Sequence, residues 1–221
     1  MAYHAYIDES GTMEDQIIMT VAMVVLEGAR SGQRLHRRAA EKLFPIPKIR
    51  AKSQREEWFA KVALHYADMK HSEKLMTAEV FGRSALKMFV AHHAHDERTK
   101  DHAFKFSIYR NLVCQVLSAS FNHYDDLEIS VAKQGGWQDY ERDFINELRA
   151  LSEHLPGHKT KIRLSSAAKH GIQIADFYAG VSRDYLLADS PATSTSHYEL
   201  VRHQIDYTAV LQAVVLVKKE G

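Results

Sequence analysis

A chain of 221 residues, 45% hydrophobic and 26% charged, is long enough to bury a sizeable core and too apolar to stay disordered. Its 29 Lys and Arg against 28 Asp and Glu leave a formal charge of +1, which excludes a polyelectrolyte binder of the histone kind. The single cysteine excludes an internal disulfide and a thiolate metal cluster.

Residues 3–8 alternate, with His4, Tyr6 and Asp8 on one face and Ala5 and Ile7 on the other, which predicts a first strand. Ser10-Gly11-Thr12 is turn chemistry, and residues 16–26, rich in Ile, Val and Met, complete a hairpin. After Gly28 the composition is helical as far as Phe44, where Pro45-Ile46-Pro47 stops it. Ser53 followed by Glu56 forms a capping-box pattern, and the helix it opens carries Trp58, Val62, Tyr66 and Met69 at helical spacing. Residues 74–81 are expected as a third strand, followed by a short helix through Leu86, Phe89 and Val90. A polar, His-rich stretch from His92 to His102 leads into a long helix ending near Phe121, apolar nearly all round and therefore expected in the middle of the molecule.

A fourth strand at 127–132, a helix at 140–151, a fifth strand at 160–164 and a helix at 172–187 follow. Residues 190–196 read as a polar linker, and 198–217 as helical or mixed. Strands alternating with helices imply a mostly parallel α/β sheet covered on both faces, to which the hairpin adds an antiparallel part. The expected organisation is one domain over 1–189, with 190–221 as a linker and a C-terminal segment packing on it. The longest apolar run, 17–26, is too short to span a bilayer, and the N-terminus lacks the features of a secretory signal. No membrane association and a cytoplasmic location are therefore expected.

Asp8 and Glu9 sit where a strand runs into a glycine-containing turn, the end of the sheet at which α/β folds bind ligands. Adjacent carboxylates can hold Mg²⁺, although strand alternation sends the two to opposite faces unless Glu9 belongs to the turn. An acid at a turn entry is equally an ordinary structural feature. In the segment 171–180, Gln173, Asp176 and Gly180 fall at i, i+3 and i+7 on one helical face. Gly180 would allow another backbone to approach, and a helix-terminus cap network is the alternative account of the polar pair. Between Arg30 and Arg55 lie Arg34, Arg37, Arg38, Lys42, Lys48, Arg50 and Lys52 against one acid, Glu41. Such a stripe neutralises phosphates or is simply a solvated basic face.

Histidines offer further donors. His92, His95 and Asp96 would share a helical face able to bind Zn²⁺ or Mn²⁺, against the plainer reading of a polar loop. His4 reads as a packed strand histidine, His170 as a helix cap or proton carrier, and Cys114 as structural. Ser165 and Ser166 could reach the neighbourhood of Asp176. Phosphate-loop, dinucleotide and nucleophile-elbow motifs are missing, which removes the commonest nucleotide-binding and esterase readings.

The pairing of Asp8-Glu9-Ser10-Gly11 near one end with Gln173-Ile174-Ala175-Asp176 near the other resembles the family named domain of unknown function 3800, over roughly residues 3–187. That family is similar to the ribonuclease H-like fold, whose nucleases and transposases place acids on the first strand, on later elements and on the last helix. The resemblance implies a ribonuclease H-like mixed sheet of about five strands, with helices on both faces and inserted helices after the second strand. It implies Asp8, Glu9 and Asp176 as ligands of Mg²⁺ or Mn²⁺ and Gln173 as a polar orienter, the four forming the catalytic set. Lys52, Arg50, Lys133 and Ser10 would bind substrate.

Two positions depart from the family pattern. Lys133 stands where a further acid is expected after the fourth strand, and of a Glu-x-Lys expected near 49–52 only Lys52 is present. The function this implies is a divalent-metal-dependent nuclease or phosphodiesterase acting on nucleic acid. The alternative is a non-catalytic binding or scaffold module with a degraded site, in which the Lys133 ammonium replaces a cation. A small nucleotide-processing hydrolase is a third reading.

Overall fold

The computed structural model describes residues 2–11, 18–44, 52–94, 101–153, 159–188 and 196–210, with the backbone alone at Lys52 and Val210. Six strands form one mixed sheet: β1 (Tyr3–Ser10), β2 (Ile18–Glu27), β3 (Leu86–Ala94), β4 (Asp126–Ala132), β5 (Lys159–Ser165) and β6 (Ile205–Val210). Their order is β5-β4-β1-β2-β3-β6. β1 and β2 are antiparallel, pairing Tyr3 with Glu27 and Ser10 with Thr20, and β3 runs antiparallel to β2. β4 lies parallel to β1, β5 parallel to β4, and β6 parallel to β3. Gly11 leaves β1 at φ +97°, and a Cβ there would sit 1.9 Å from the Ile18 carbonyl oxygen, so the Asp-Glu-Ser-Gly turn requires its glycine.

Strand alternation divides the core into two faces. Ala5, Ile7, Val21, Met23 and Val131 point towards α4 (His102–Ser120) and α5 (Glu141–Glu153), which bury Leu112, Val116 and Leu148 against them. Tyr6, Ala22, Val24 and Met88 point the other way, under α1 (Ser31–Leu43), α3 (His71–Gly82) and α6 (His170–Leu187). α2 (Lys52–Lys61), a 3-10 turn at Tyr66–Asp68 and α7 (Ser196–Val201) complete this second layer. The mixed sheet, the leading hairpin, the helices on both faces and the helices inserted between β2 and β3 are the architecture expected of a ribonuclease H-like α/β domain.

Several elements differ from the sequence reading. Residues expected as a third strand lie in α3, whose first turn is closed by the Lys70 N–H donating to Glu73 at 2.7 Å and whose buried Thr77, Ala78 and Phe81 share one face. The expected short helix through Leu86, Phe89 and Val90 is β3, a central strand covered on both faces. A short apolar run buried on all sides has no readable period, so helix and strand look alike there. Ser53 lies inside α2, which ends at Lys61, so Val62, Tyr66 and Met69 are not on it. The sheet has six strands rather than about five, because the segment left open between helix and mixed structure supplies α7 and then β6. The expected linker falls almost wholly outside the described residues. Among the described residues no helix is long and apolar enough to cross a membrane.

Candidate functional site

Asp8 and Glu9 lie at the end of β1, next to the sheet edge at which β4 also terminates. A residue just beyond β4 joins their carboxylates. The Gln134 side-chain amide donates to Asp8 Oδ1 at 3.2 Å and also to Glu9 Oε2. Asp8 Oδ1 additionally accepts the Glu9 backbone N–H at 3.0 Å. Asp8 is only 8% exposed. Burial pushes its carboxyl well above the usual range, helped by the charge of Glu9, a hydrogen bond between the two carboxyl groups, and the charge of Asp176. Tyr109 of α4 is buried close by, and its hydroxyl is raised well above the phenol range by burial first and then by Glu9 and Asp8.

The polar stripe of α6 grips a chain segment. Gln173 Oε1 accepts the Leu64 N–H at 2.8 Å and His36 Nε2 at 2.8 Å, while its Nε2 donates to the Ala168 carbonyl at 3.3 Å. One turn later Asp176 Oδ2 accepts the Tyr66 N–H at 3.0 Å, with His65 Nδ1 3.7 Å away. A further turn on, a Cβ at Gly180 would lie 2.0 Å from Tyr66 Cδ1, so the close approach is by an aromatic ring rather than a backbone. The Tyr66 hydroxyl donates to Asp184 at 2.6 Å and meets His197 Nε2 at 2.9 Å. The Gln173 amide is committed to the protein on both ends, with Nε2 bonded to the Ala168 carbonyl just before the start of α6. Burial raises the Asp176 carboxyl, opposed by the Tyr66 N–H and His65.

The other expected residues are dispersed. Lys133 is exposed, its backbone N–H continuing the ladder to the Ser165 carbonyl at 2.9 Å, and no ion pair joins it to a carboxylate among the described residues. Gln134, the next residue, turns to the acidic pair in its place. Ser10 closes β1, Lys52 opens α2, and Arg50 lies outside the described residues. His92 is buried in a strand rather than on a helix, and His95 and Asp96 also lie outside. His4 Nδ1 sits 3.5 Å from Glu128, a packed strand histidine as expected. Ser166 Oγ accepts the Ala168 N–H at 3.2 Å.

Sequence reasoning missed Gln134, Tyr109, His65 and a basic pair beside β1. Lys169 Nζ donates to Ser130 Oγ at 2.7 Å and stands 5.3 Å from the Tyr6 ring centroid, with Arg163 Nε 3.5 Å from the same hydroxyl. The signal for Gln134 was its place one residue beyond the position where an acid was sought, just before Gly135-Gly136.

The donor chemistry fits a hard divalent cation. Asp176 Oδ1 and Asp8 Oδ2 accept no N–H among the described residues, and carboxylate oxygens crowded away from water are relieved by positive charge. No group of three or more His, Cys, Asp or Glu among the described residues is arranged to enclose a metal. Mg²⁺ commonly needs no such cage, since it binds through one or two carboxylates, waters and substrate phosphates.

No family model matches the chain, and no curated protein sequence does. Among solved structures it is similar to a chain of the PCNA–RNase HII complex from Archaeoglobus fulgidus, at 15% identity and a TM-score of 0.47, over 90% of this chain and 87% of that one. It is likewise similar to ribonuclease H2 from Pyrococcus horikoshii OT3, at 17% identity and a TM-score of 0.43, over 87% of this chain and 77% of that one.

Proposed function

We propose that the protein is a divalent-metal-dependent phosphodiesterase acting on nucleic acid. The observation that carries this reading is the buried Asp8 carboxyl beside half-buried Glu9, within electrostatic reach of Asp176 from a different element. Like charges held together out of water are costly unless a cation or proton joins them. Asp8, Glu9 and Asp176 would hold Mg²⁺ or Mn²⁺, which when bound polarises a phosphoryl oxygen and lowers the pKa of a water.

The chain's own residues do the rest. Gln134 ties the two carboxylates of the pair to one donor and so keeps them facing one point. Gln173 acts by position, docking the 64–66 segment so that the Tyr66 N–H orients Asp176 and His65 stands at the rim. The Lys169–Arg163 pair, together with Ser10 and exposed Lys133, offers donors to the phosphates of a strand laid over the end of the sheet.

The test is cleavage of single- and double-stranded oligonucleotides in Mn²⁺ by the protein and by the Asp8→Ala/Asp176→Ala double variant. Loss of at least a hundredfold in rate is expected, and full activity in the variant overturns the reading. A non-catalytic binding module is the second reading, favoured by the lack of a three-donor group among the described residues. Calorimetry separates the two: Mn²⁺ binding abolished by Asp176→Asn supports the enzyme, and no Mn²⁺ binding supports the module.

A further inference from the structure

A second polar site lies at the other end of the α6 stripe, away from the acidic pair. The first turns of α1 and α6 touch, since a Cβ at Gly32 would lie 3.4 Å from the Gly171 Cα. Neither helix has a side-chain cap bond or an acid in its first turn, so both bring the partial positive charge of a helix start to one place. Beside the contact is a cavity of about 130 Å³ lined by Arg30, Arg34, Arg37, His36, His170 and Glu56, among others.

The charges there are unequally spent. Arg37 pairs with Glu41 at 3.1 Å and with Glu56 at 2.7 Å. Arg30 and Arg34 have no carboxylate partner among the described residues, and the Arg34 guanidinium meets only the Ser31 hydroxyl, at 3.1 Å. His36, 1% exposed and 4.3 Å from the His170 ring, supplies the most specific feature. Its Nε2 faces Gln173 Oε1, an acceptor only, so the proton sits on Nε2 and Nδ1 keeps a bare lone pair. That Nδ1 is buried without a hydrogen-bond partner, a state that costs free energy unless a donor arrives.

We propose that this cavity is a phosphate-binding site selective for a phosphate that carries a hydroxyl, that is, free phosphate or a terminal phosphomonoester. Arg30 and Arg34 supply charge-assisted donors to the oxyanion, and His36 Nδ1, which its neighbours cover, accepts the P–OH once the side chains over it give way. An internal phosphodiester has no such hydroxyl, whereas a monoester, its second pKa being about 6, carries one in about half of the population at pH 6 and about a tenth at pH 7. The size of the cavity suits a single phosphate group rather than a nucleoside. His170 precedes Asp176 by six residues on α6, about 9 Å along the axis at 1.5 Å per residue. Where the phosphate terminates a strand, that strand is anchored by its end close to the Asp8–Asp176 pair. This last step rests on the proposed function; the affinity for phosphate does not.

The experiment titrates inorganic phosphate into the full chain and follows the imidazole signals of His36 and His170 by NMR, with sulfate as the oxyanion lacking a hydroxyl at neutral pH. Saturable shifts are expected with phosphate and at least tenfold weaker ones with sulfate. They are expected to vanish in Arg30→Ala/Arg34→Ala and persist in Asp176→Asn. End-phosphorylated oligonucleotides that displace phosphate at least tenfold better than hydroxyl-ended ones identify a strand terminus as the source. Displacement by neither leaves free phosphate as the ligand of the same site. Silent histidines, equal response to sulfate, or shifts unchanged in the arginine double variant overturn the proposal. Loss of cleavage in Asp176→Asn with phosphate binding retained separates this site's fate from that of the acidic pair.

Discussion

The two faces of the sheet are closed by different chemistry. Under α4 and α5 the contact is hydrocarbon and aromatic: Phe106, Tyr109, Trp137 and Phe144 interlock with ring centroids 5.2–6.4 Å apart, and Leu112, Val116 and Leu148 are fully buried. Under α6 the core is apolar too, but the inserted segments are positioned by side-chain hydrogen bonds. Gln173 and Asp176 hold the 64–66 backbone, Tyr66 reaches Asp184 and His197, and Gln204 accepts from Tyr178 at 2.5 Å while donating to the Phe81 and Ser84 carbonyls. Dispersion and area burial set how much stability a contact contributes, with little direction, whereas hydrogen bonds fix register. The face that carries Asp176 is thus the one built for placement.

The comparison breaks most sharply at its strongest points. Leu112→Ala on the hydrocarbon face should lower global stability by about 2–5 kcal/mol, read by urea denaturation, while hydrogen exchange at Leu64 and Tyr66 follows only that global loss. Gln173→Ala should cost less, about 1–3 kcal/mol for the donors left unmet, yet raise exchange at the Leu64 amide beyond the global change. Equal exchange at Leu64 in the two variants would erase the distinction between the faces.

The smallest effect is that of pH. Burial holds His36 down at about 4, and the unfolded imidazole titrates near 6.5, so the unfolded chain binds the extra proton between those values. Stability from a neutral His36 is therefore full above pH 6.5 and falls as acid approaches 4. From pH 7.5 to 6 the loss from this one residue is about 1 kcal/mol. Thermal melts of His36→Gln over that range should show a shallower slope than those of the parent chain.

What could be read in the sequence followed periodicity and turn chemistry. The β1–β2 hairpin, α1, α4, β4, α5, β5 and α6 each carry a clean pattern or a Gly or Pro boundary, and they lie where expected. The exchange of β3 for a helix arose where an apolar run is enclosed on both faces and no polar face marks the period, whereas α3 mixes Glu73, Lys74 and Glu79 with apolar residues and buries only Thr77, Ala78 and Phe81. At the site, the link from Asp8 towards Asp176 was legible as two motifs. Their neighbours were not, because Gln134, His65 and Tyr66 are separated from the acids they touch by about 110 residues or more. The stripe of Gln173, Asp176 and Gly180 was read correctly as one face, but its partner, a backbone segment, has no side-chain signature to find.

The clasp between the 64–66 segment and α6 also sets a timetable for biosynthesis. The acceptors for the Leu64 and Tyr66 amides lie 109 and 110 residues further along the chain. At about 5–20 residues per second, the ribosome adds Asp176 roughly 5–20 seconds after Tyr66. Until then α2 and α3 have no α6 to lie against, and β6, the last strand of the sheet, is later still. The inserted segment therefore waits through the synthesis of about 110 residues for its acceptors, and the acidic centre cannot be assembled before Asp176 has been added.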